Sequence, residues 1–338
     1  MTAKTSARSV ASMLTNSLDA AVAQRVAASP PQDQHDLVIA VHGLRKRYGG
    51  HEAVRGIDLE VRRGEIFAFL GPNGAGKTTT VEILQGFRRA SAGTVEVLGA
   101  DPWHASSAWR ERIGTVLQES EPEPGLSVRE CLQLYAGYYH APRQVQETLA
   151  LVELAEQADE RASALSGGQR RRLDLALALI GDPELIFLDE PTTGFDPSAR
   201  RAAWGLIAEL RALGKTVFLT THYMEEAERL ADRIAIIAAG EIVAQGTPQT
   251  LGDRQLSSTQ IAFALPRGTE LAQLPAALAE RASALGEGRV ALASTRVAAD
   301  LHVLSGWALQ HDAELHALEV RRPTLEDVYL QLTDTDRS

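Results

Sequence analysis

Gly71-Pro72-Asn73-Gly74-Ala75-Gly76-Lys77-Thr78-Thr79 is the first run of residue types that could do chemistry. It follows the apolar run 66–70 and opens a helical pattern, so the G-x-x-x-x-G-K-[ST] arrangement stands in the strand-to-helix setting that its mechanism requires. Glycines let successive backbone N–H groups turn inward around phosphate oxygens, and the helix presents its positive end to the same anion. Lys77 then reaches the β- and γ-phosphates of a nucleotide, and the Thr78 hydroxyl is placed to ligate Mg²⁺. A second centre is the apolar run 185–188 ending in Asp189 and Glu190. Open α/β sheets bind ligands at the carboxyl ends of their strands, which suits Asp189 to Mg²⁺ and Glu190 to polarising an attacking water. Alone, an apolar strand ending in two acids is usually structural; downstream of a phosphate loop it becomes a site for nucleotide hydrolysis.

A third run, Leu165-Ser166-Gly167-Gly168-Gln169, precedes the helical stretch 170–180. It is another helix N-terminus, with a hydroxyl and glycine N–H groups suited to a γ-phosphate. At this point the sequence resembles the ATP-binding cassette (ABC) ATPases, whose signature is this pentapeptide between the phosphate loop and the acidic strand. In that family it caps the ATP bound by the opposing cassette, so the resemblance implies a homodimer holding two Mg·ATP at its shared face. Gln118, ending the run 113–117, looks like the Q-loop glutamine, which approaches Mg²⁺ and the water and senses the membrane partner. His222 looks like the switch histidine that contacts the γ-phosphate. Tyr48 matches the aromatic that stacks on adenine, although a lone tyrosine beside Gly49-Gly50 is equally a packing residue. Asp196 matches the D-loop aspartate that meets the other cassette, with Phe195 where the family usually has Leu. The resemblance covers residues 37–250.

Positioning these groups requires a particular set of elements. Short alternating or apolar runs at 37–41, 53–61 and 65–70, punctuated by glycine turns, read as strands. Further strand patterns at 185–188, 216–220 and 234–238 each follow a helix-like stretch, and such alternation implies an α/β fold with a covered parallel sheet. Residues 119–165 carry Pro122 and Pro124 and then helical spacing, as a mostly helical insertion would. The family resemblance refines this into a P-loop NTPase cassette: a RecA-like core, an antiparallel β-subdomain and an α-helical subdomain. Beyond Pro248 a small α+β domain is expected, with strands at 260–265, 289–294 and 315–320, helices at 270–285 and 297–310, and a last helix from Thr324. The expected division is a disordered tail over 1–36, the cassette over 37–250 and an accessory domain over 251–338.

Composition narrows the role. A net charge of −10 over 338 residues lacks the basic footprint that nucleic acid requires. A single cysteine, Cys131, can form neither an intramolecular disulfide nor a thiolate metal cluster and suits a reducing cytoplasm. No run approaches the eighteen or so apolar residues needed to span a bilayer, and the N-terminus has no secretory h-region. The stretches 165–197 and 221–228, with the ending Arg322-Pro323-Thr324-Leu325-Glu326-Asp327-Val328-Tyr329-Leu330, are similar to bacterial drug and antibiotic exporter ATPases of the daunorubicin-resistance type. That resemblance implies an ATPase motor, peripheral on the cytoplasmic side of the membrane, driving a separate permease. The alternative is a soluble ABC-type ATPase regulating a non-membrane partner through its C-terminal domain. The ending fits a helix N-capped by Thr324 with Leu325, Val328 and Tyr329 on one packed face; a docking helix for a dimer partner has the same pattern.

Overall fold

A computed structural model describes residues 36–116, 123, 125–251, 259–266, 269, 271–286, 288–321, 324–327 and 329. The tail expected over 1–36 lies outside these residues except for Asp36, as do Gln118, Pro122, Pro124, Arg322, Pro323, Val328 and Leu330.

The first two strands, β1 (Leu37–Tyr48) and β2 (His51–Arg62), form an antiparallel pair that turns at Gly49 and Gly50. Next come β3 (Ile66–Leu70), α1 (Lys77–Leu84) and β4 (Ala92–Val97), and β4 pairs with β1 to complete the three-stranded sheet β2-β1-β4. The short α2 (Ser107–Arg110) leads into β5 (Ile113–Val116), and α3 (Val128–Ala136) and α4 (Val145–Leu151) make up the helical insertion. Then follow α5 (Gly167–Leu179), β6 (Leu185–Asp189), α6 (Pro197–Ala212), β7 (Thr216–Thr221), α7 (Met224–Leu230), β8 (Arg233–Ala238) and β9 (Glu241–Gly246). Strands β5, β6, β7, β3 and β8 are parallel neighbours in that order, and β9 closes the edge antiparallel to β8.

Alternation along β3 shows how this sheet is covered. Phe67 and Phe69 point to the face shared with Phe187 and Phe218, whose ring centroids lie 5.7 Å apart, and with the antiparallel sheet through Val38, Ile39, Val41 and Leu59. Ile66 faces the other way, into the cluster where Leu132, Leu149, Leu173 and Ile207 of the helices pack. Ala68 and Leu70 share that side with α7. Both faces are buried, which is why these strands read as continuous apolar runs.

Downstream, β10 (Thr259–Ala264), α8 (Ala276–Ala279), β11 (Ala282–Gly286), β12 (Arg289–Ser294), α9 (Val297–Gln310) and β13 (His316–Arg321) build a second antiparallel sheet, ordered β11-β12-β10-β13. The helix expected over 270–285 is corrected here. It shrinks to one turn after Pro275, and residues 282–286 form a strand paired with β12. Pro275 limits any helix to starting there, and Gly286 and Gly288 at φ 89° and 74° close a hairpin whose pairing overrides the helix propensity of alanine. Asp300 on α9 accepts hydrogen bonds from both terminal nitrogens of Arg281, at 2.8 and 2.9 Å, and from Ser294 at 2.6 Å.

These partners, Arg281 foremost, hold the Asp300 carboxyl down at about 2, against an ordinary 3.8. A depressed carboxyl stabilises the fold fully above its unfolded value, and the contribution fades as pH falls towards the folded value. Asp300→Ala is therefore expected to cost about 2 kcal/mol near neutrality, with the difference from the parent chain vanishing as pH falls from about 4 towards about 2. Amide hydrogen exchange of β12 and α9 measures it.

The chain ending returns to the cassette. Leu325 is fully buried against Ala68, Leu70, Ile234, Ile236 and Leu251, with Tyr329 packed beside it. Thr324 caps this turn, its hydroxyl accepting from Asp327 N–H at 3.2 Å while the Asp327 carboxylate accepts from Thr324 N–H at 2.7 Å. Two residues of the expected packed face, Leu325 and Tyr329, thus pack within the chain, and Val328 lies outside the described residues.

Candidate functional site

Strand order brings the chemistry together. Because β7 lies between β3 and β6, Thr221 is the register partner of Leu70 and Thr220 that of Asp189. The loop after β3, the acids after β6 and the histidine after β7 therefore emerge side by side at the carboxyl edge.

The phosphate loop runs from Gly71 to Gly76, where the backbone takes φ 106° before α1 begins at Lys77. A side chain there would meet the Ala53 carbonyl at 2.6 Å, so space and conformation both demand glycine. Pro72, Asn73, Gly74 and Thr78 are exposed, Thr79 is half-buried, and Ala75 is buried. Lys77 is buried beneath them, its ammonium donating to the carbonyls of Gly71 at 2.7 Å and Pro72 at 3.2 Å. Burial pulls its pKa down, while the charges of Glu190 and Asp189 oppose that shift.

Glu190 is the centre of the cluster. Its Oε1 lies 3.9 Å from Lys77 Nζ and 3.3 Å from His222 Nδ1. Its Oε2 accepts from the Thr193 hydroxyl at 3.2 Å, and its backbone N–H donates to the Thr220 carbonyl and hydroxyl at 3.1 Å each. The residue sits at φ 47°, in the left-handed region, a placement that costs a non-glycine residue about 1 kcal/mol and clusters at functional sites. Asp189 accepts a short hydrogen bond from the Thr220 hydroxyl. His222 is partly exposed, its ring against Tyr223 with centroids 4.1 Å apart.

The other residues singled out in the sequence stand apart from this cluster. Ser166 caps α5 in a reciprocal box, its hydroxyl accepting from Gln169 N–H at 3.3 Å while Gln169 Oε1 accepts from Ser166 N–H at 2.9 Å. Gly167 and Gly168 fill the first turn. Among the described residues no hydrogen bond or ion pair joins this turn to Lys77, Glu190 or His222. Asp196 caps α6, its carboxylate accepting from Ala199 N–H at 2.9 Å and from Ser198 N–H at 2.8 Å, bonds that hold its carboxyl below the usual range. Tyr48, at the tip of the β1–β2 hairpin, is 39% exposed, with Lys46 Nζ 5.2 Å and Arg88 Cζ 5.3 Å from its ring centroid.

Sequence reasoning missed three groups here: Thr193, Thr220 and Arg171. Arg171, on α5, donates to the carbonyls of Pro191 at 3.1 Å and Asp189 at 3.4 Å, bracketing Glu190 from behind. Threonine at a strand end reads as β-propensity, so its hydroxyl chemistry carries no separate signal.

Comparison with known proteins identifies the family. A family model described as ABC transporter matches residues 54–193. Nod factor export ATP-binding protein I of Ralstonia nicotianae is 40% identical over 310 residues, covering 88% of this chain and 94% of that protein. The chain belongs to the ABC transporter ATP-binding proteins. Daunorubicin resistance ATP-binding protein DrrA3 of Streptomyces coeruleorubidus is likewise 40% identical, over 89% of this chain and 98% of that one. A second model, the C-terminal domain of ABC transporter domain-containing protein-like chains, matches residues 259–324. Among solved structures, an ATP-binding subunit of an ABC transporter superposes with a TM-score of 0.58 at 26% identity, over 65% of this chain and 93% of that one. An ATP-binding cassette in a dimeric post-hydrolysis state with ADP and Pi gives 0.56 at 25%, over 62% and 98%.

This ABC ATPase thus binds and hydrolyses ATP. The donor set also fits Mg²⁺. Among the described residues no three His, Cys, Asp or Glu side chains could hold a metal by themselves, whereas Mg²⁺ is commonly held through one or two carboxylates together with substrate phosphates. The Thr78 hydroxyl and the Asp189 carboxylate would hold it, and when bound it neutralises charge on the β- and γ-oxygens.

Proposed function

We propose that two copies of this ABC ATPase close around two Mg·ATP and drive a separate integral-membrane permease that exports a drug- or antibiotic-like molecule. The observation that carries the reading is the split site. Lys77, Glu190 and His222 converge within one chain, while the Ser166–Gln169 turn stands apart from them, and in this reading it caps another chain's nucleotide. In this reading the phosphate loop binds the β- and γ-phosphates, Tyr48 stacks on adenine and Glu190 takes a proton from the attacking water. His222 contacts the γ-phosphate, Gln118 senses the permease, and Asp196 meets the partner cassette.

Export is supported by relatives named for Nod factor export and daunorubicin resistance, which align over nearly their whole length, accessory C-terminal region included. Among the described residues no helix is long and apolar enough to cross a membrane, in keeping with a peripheral subunit on the cytoplasmic face. The net charge of −10 opposes attraction to anionic lipid, so membrane association requires a protein partner. Fractionation of cells carrying the chain with or without a co-expressed candidate exporter permease tests this. The chain is expected to sediment with membranes only when that permease is present. Recovery in the supernatant in both cases would favour a soluble regulatory ATPase instead.

A further inference from the structure

Behind the Lys77–Glu190–His222 cluster lies a carboxylate that the chemistry does not use. Glu226, on α7 just past His222, is fully buried. Its Oε1 accepts hydrogen bonds from the Thr192 hydroxyl at 2.8 Å and from the Trp204 indole N–H at 2.9 Å. Burial pushes its carboxyl up, while these hydrogen bonds and the charge of Arg200 act in the opposite sense. A buried acid is a poor source of stability beside an apolar side chain of the same volume. Its presence is better explained by what it orients.

Each partner belongs to a segment that carries a different part of the site. Thr192 adjoins Thr193, whose hydroxyl is bonded to Glu190 Oε2. Trp204 and Arg200 lie on α6, the helix capped by Asp196. Glu226 itself is on the helix that begins after His222 and Tyr223, and Arg200 Cζ stacks 4.3 Å from the Tyr223 ring centroid, whose other neighbour is His222.

We infer that Glu226 is a positioning residue that locks the Thr192–Thr193 turn, the Asp196 helix and the His222 switch into one unit, holding Glu190 and His222 at their 3.3 Å contact. The inference rests on Glu190 as the group that activates water. Glu226 meets neither nucleotide nor water; the two hydrogen bonds it accepts do the work, and a glutamine carbonyl in its place can accept the same two.

Steady-state ATP hydrolysis by the purified full chain, with affinity for a fluorescent ATP analogue, provides the test. Glu226→Ala is expected to lower kcat about tenfold or more with KM and analogue affinity nearly unchanged, because small misplacements of reacting groups cost rate rather than binding. Glu226→Gln restores most of that rate. Thr192→Val, which removes one donor, lowers kcat about threefold or more in the same pattern and decides the question alone if Glu226→Ala does not fold. Parent-like turnover by Thr192→Val, or by a folded Glu226→Ala, overturns the inference. So does a glutamine variant as slow as the alanine one, or a rise in KM that parallels the fall in kcat. Full turnover by Glu190→Gln instead removes the water-activation reading, a separate failure.

Discussion

Glu190→Gln is expected to bind ATP as the parent chain does and to hydrolyse it about 100 to 10,000 times more slowly, the range set by losing a general base. The substitution changes one atom in the group that touches His222 at 3.3 Å, Lys77 at 3.9 Å and the Thr193 hydroxyl at 3.2 Å. An amide retains the shape and one acceptor oxygen but can no longer take a proton from water. The backbone at φ 47° is fixed by the bonds from Glu190 N–H to Thr220, so the variant keeps its geometry and loses its chemistry. Binding with blocked turnover should trap the closed state, and the variant should elute as a dimer when ATP is present and as the parent chain does when it is absent. Single-turnover phosphate release gives the rate and gel filtration the trapping. A variant that hydrolyses ATP at the parent rate would mean that another group activates the water.

Much of this architecture was legible because it is written in short-range terms. The loop from Gly71 to Thr79 needs its glycines for conformation and its Lys and Thr for charge and hydroxyl, so spacing alone identifies it. The apolar strand ending in Asp189 and Glu190 was equally plain, since a strand buried on both faces has no other pattern. What the sequence leaves silent is pairing across the sheet. Thr220 bonds to Asp189 and to Glu190 N–H only because β7 lies between β3 and β6, an order that no local pattern encodes. The same blindness produced the error at 270–285. Alanine-rich residues 276–285 suit a helix by propensity, and their pairing with β12 depends on a hairpin at Gly286 and Gly288 that turns the chain back.

Glu226 and Arg171 illustrate the same limit from the other side. In sequence each is one more charge in a charged run, Arg170-Arg171-Arg172 or Glu225-Glu226, and such runs are ordinarily solvated faces. Folding turns Glu226 fully inward and leaves Glu225 exposed. Helical periodicity separates neighbours by 100°, but which of them faces the core follows from packing against α6, not from α7 alone.

Lys77→Ala is the complementary case, in which binding and turnover should fail together. The ammonium makes two bonds to the carbonyls of Gly71 and Pro72 and faces Glu190. Removing it leaves two carbonyl oxygens and a carboxylate pointing into a site that must receive a polyanion. Hydrogen bonds from a charged donor contribute about 1.5 to 3 kcal/mol, and each 1.4 kcal/mol is about tenfold in affinity. The ATP affinity should therefore fall about 10- to 100-fold, as titration of a fluorescent ATP analogue would record, with turnover near background even at saturating ATP. Arginine is not expected to rescue it, because the buried slot accommodates a point charge among backbone carbonyls, and the wider planar guanidinium fork does not fit that geometry. Parent-like turnover by Lys77→Ala would sink the phosphate-loop assignment. Binding retained with turnover lost would instead place Lys77 beside Glu190 as a purely chemical group, with the backbone N–H groups of the loop carrying affinity alone.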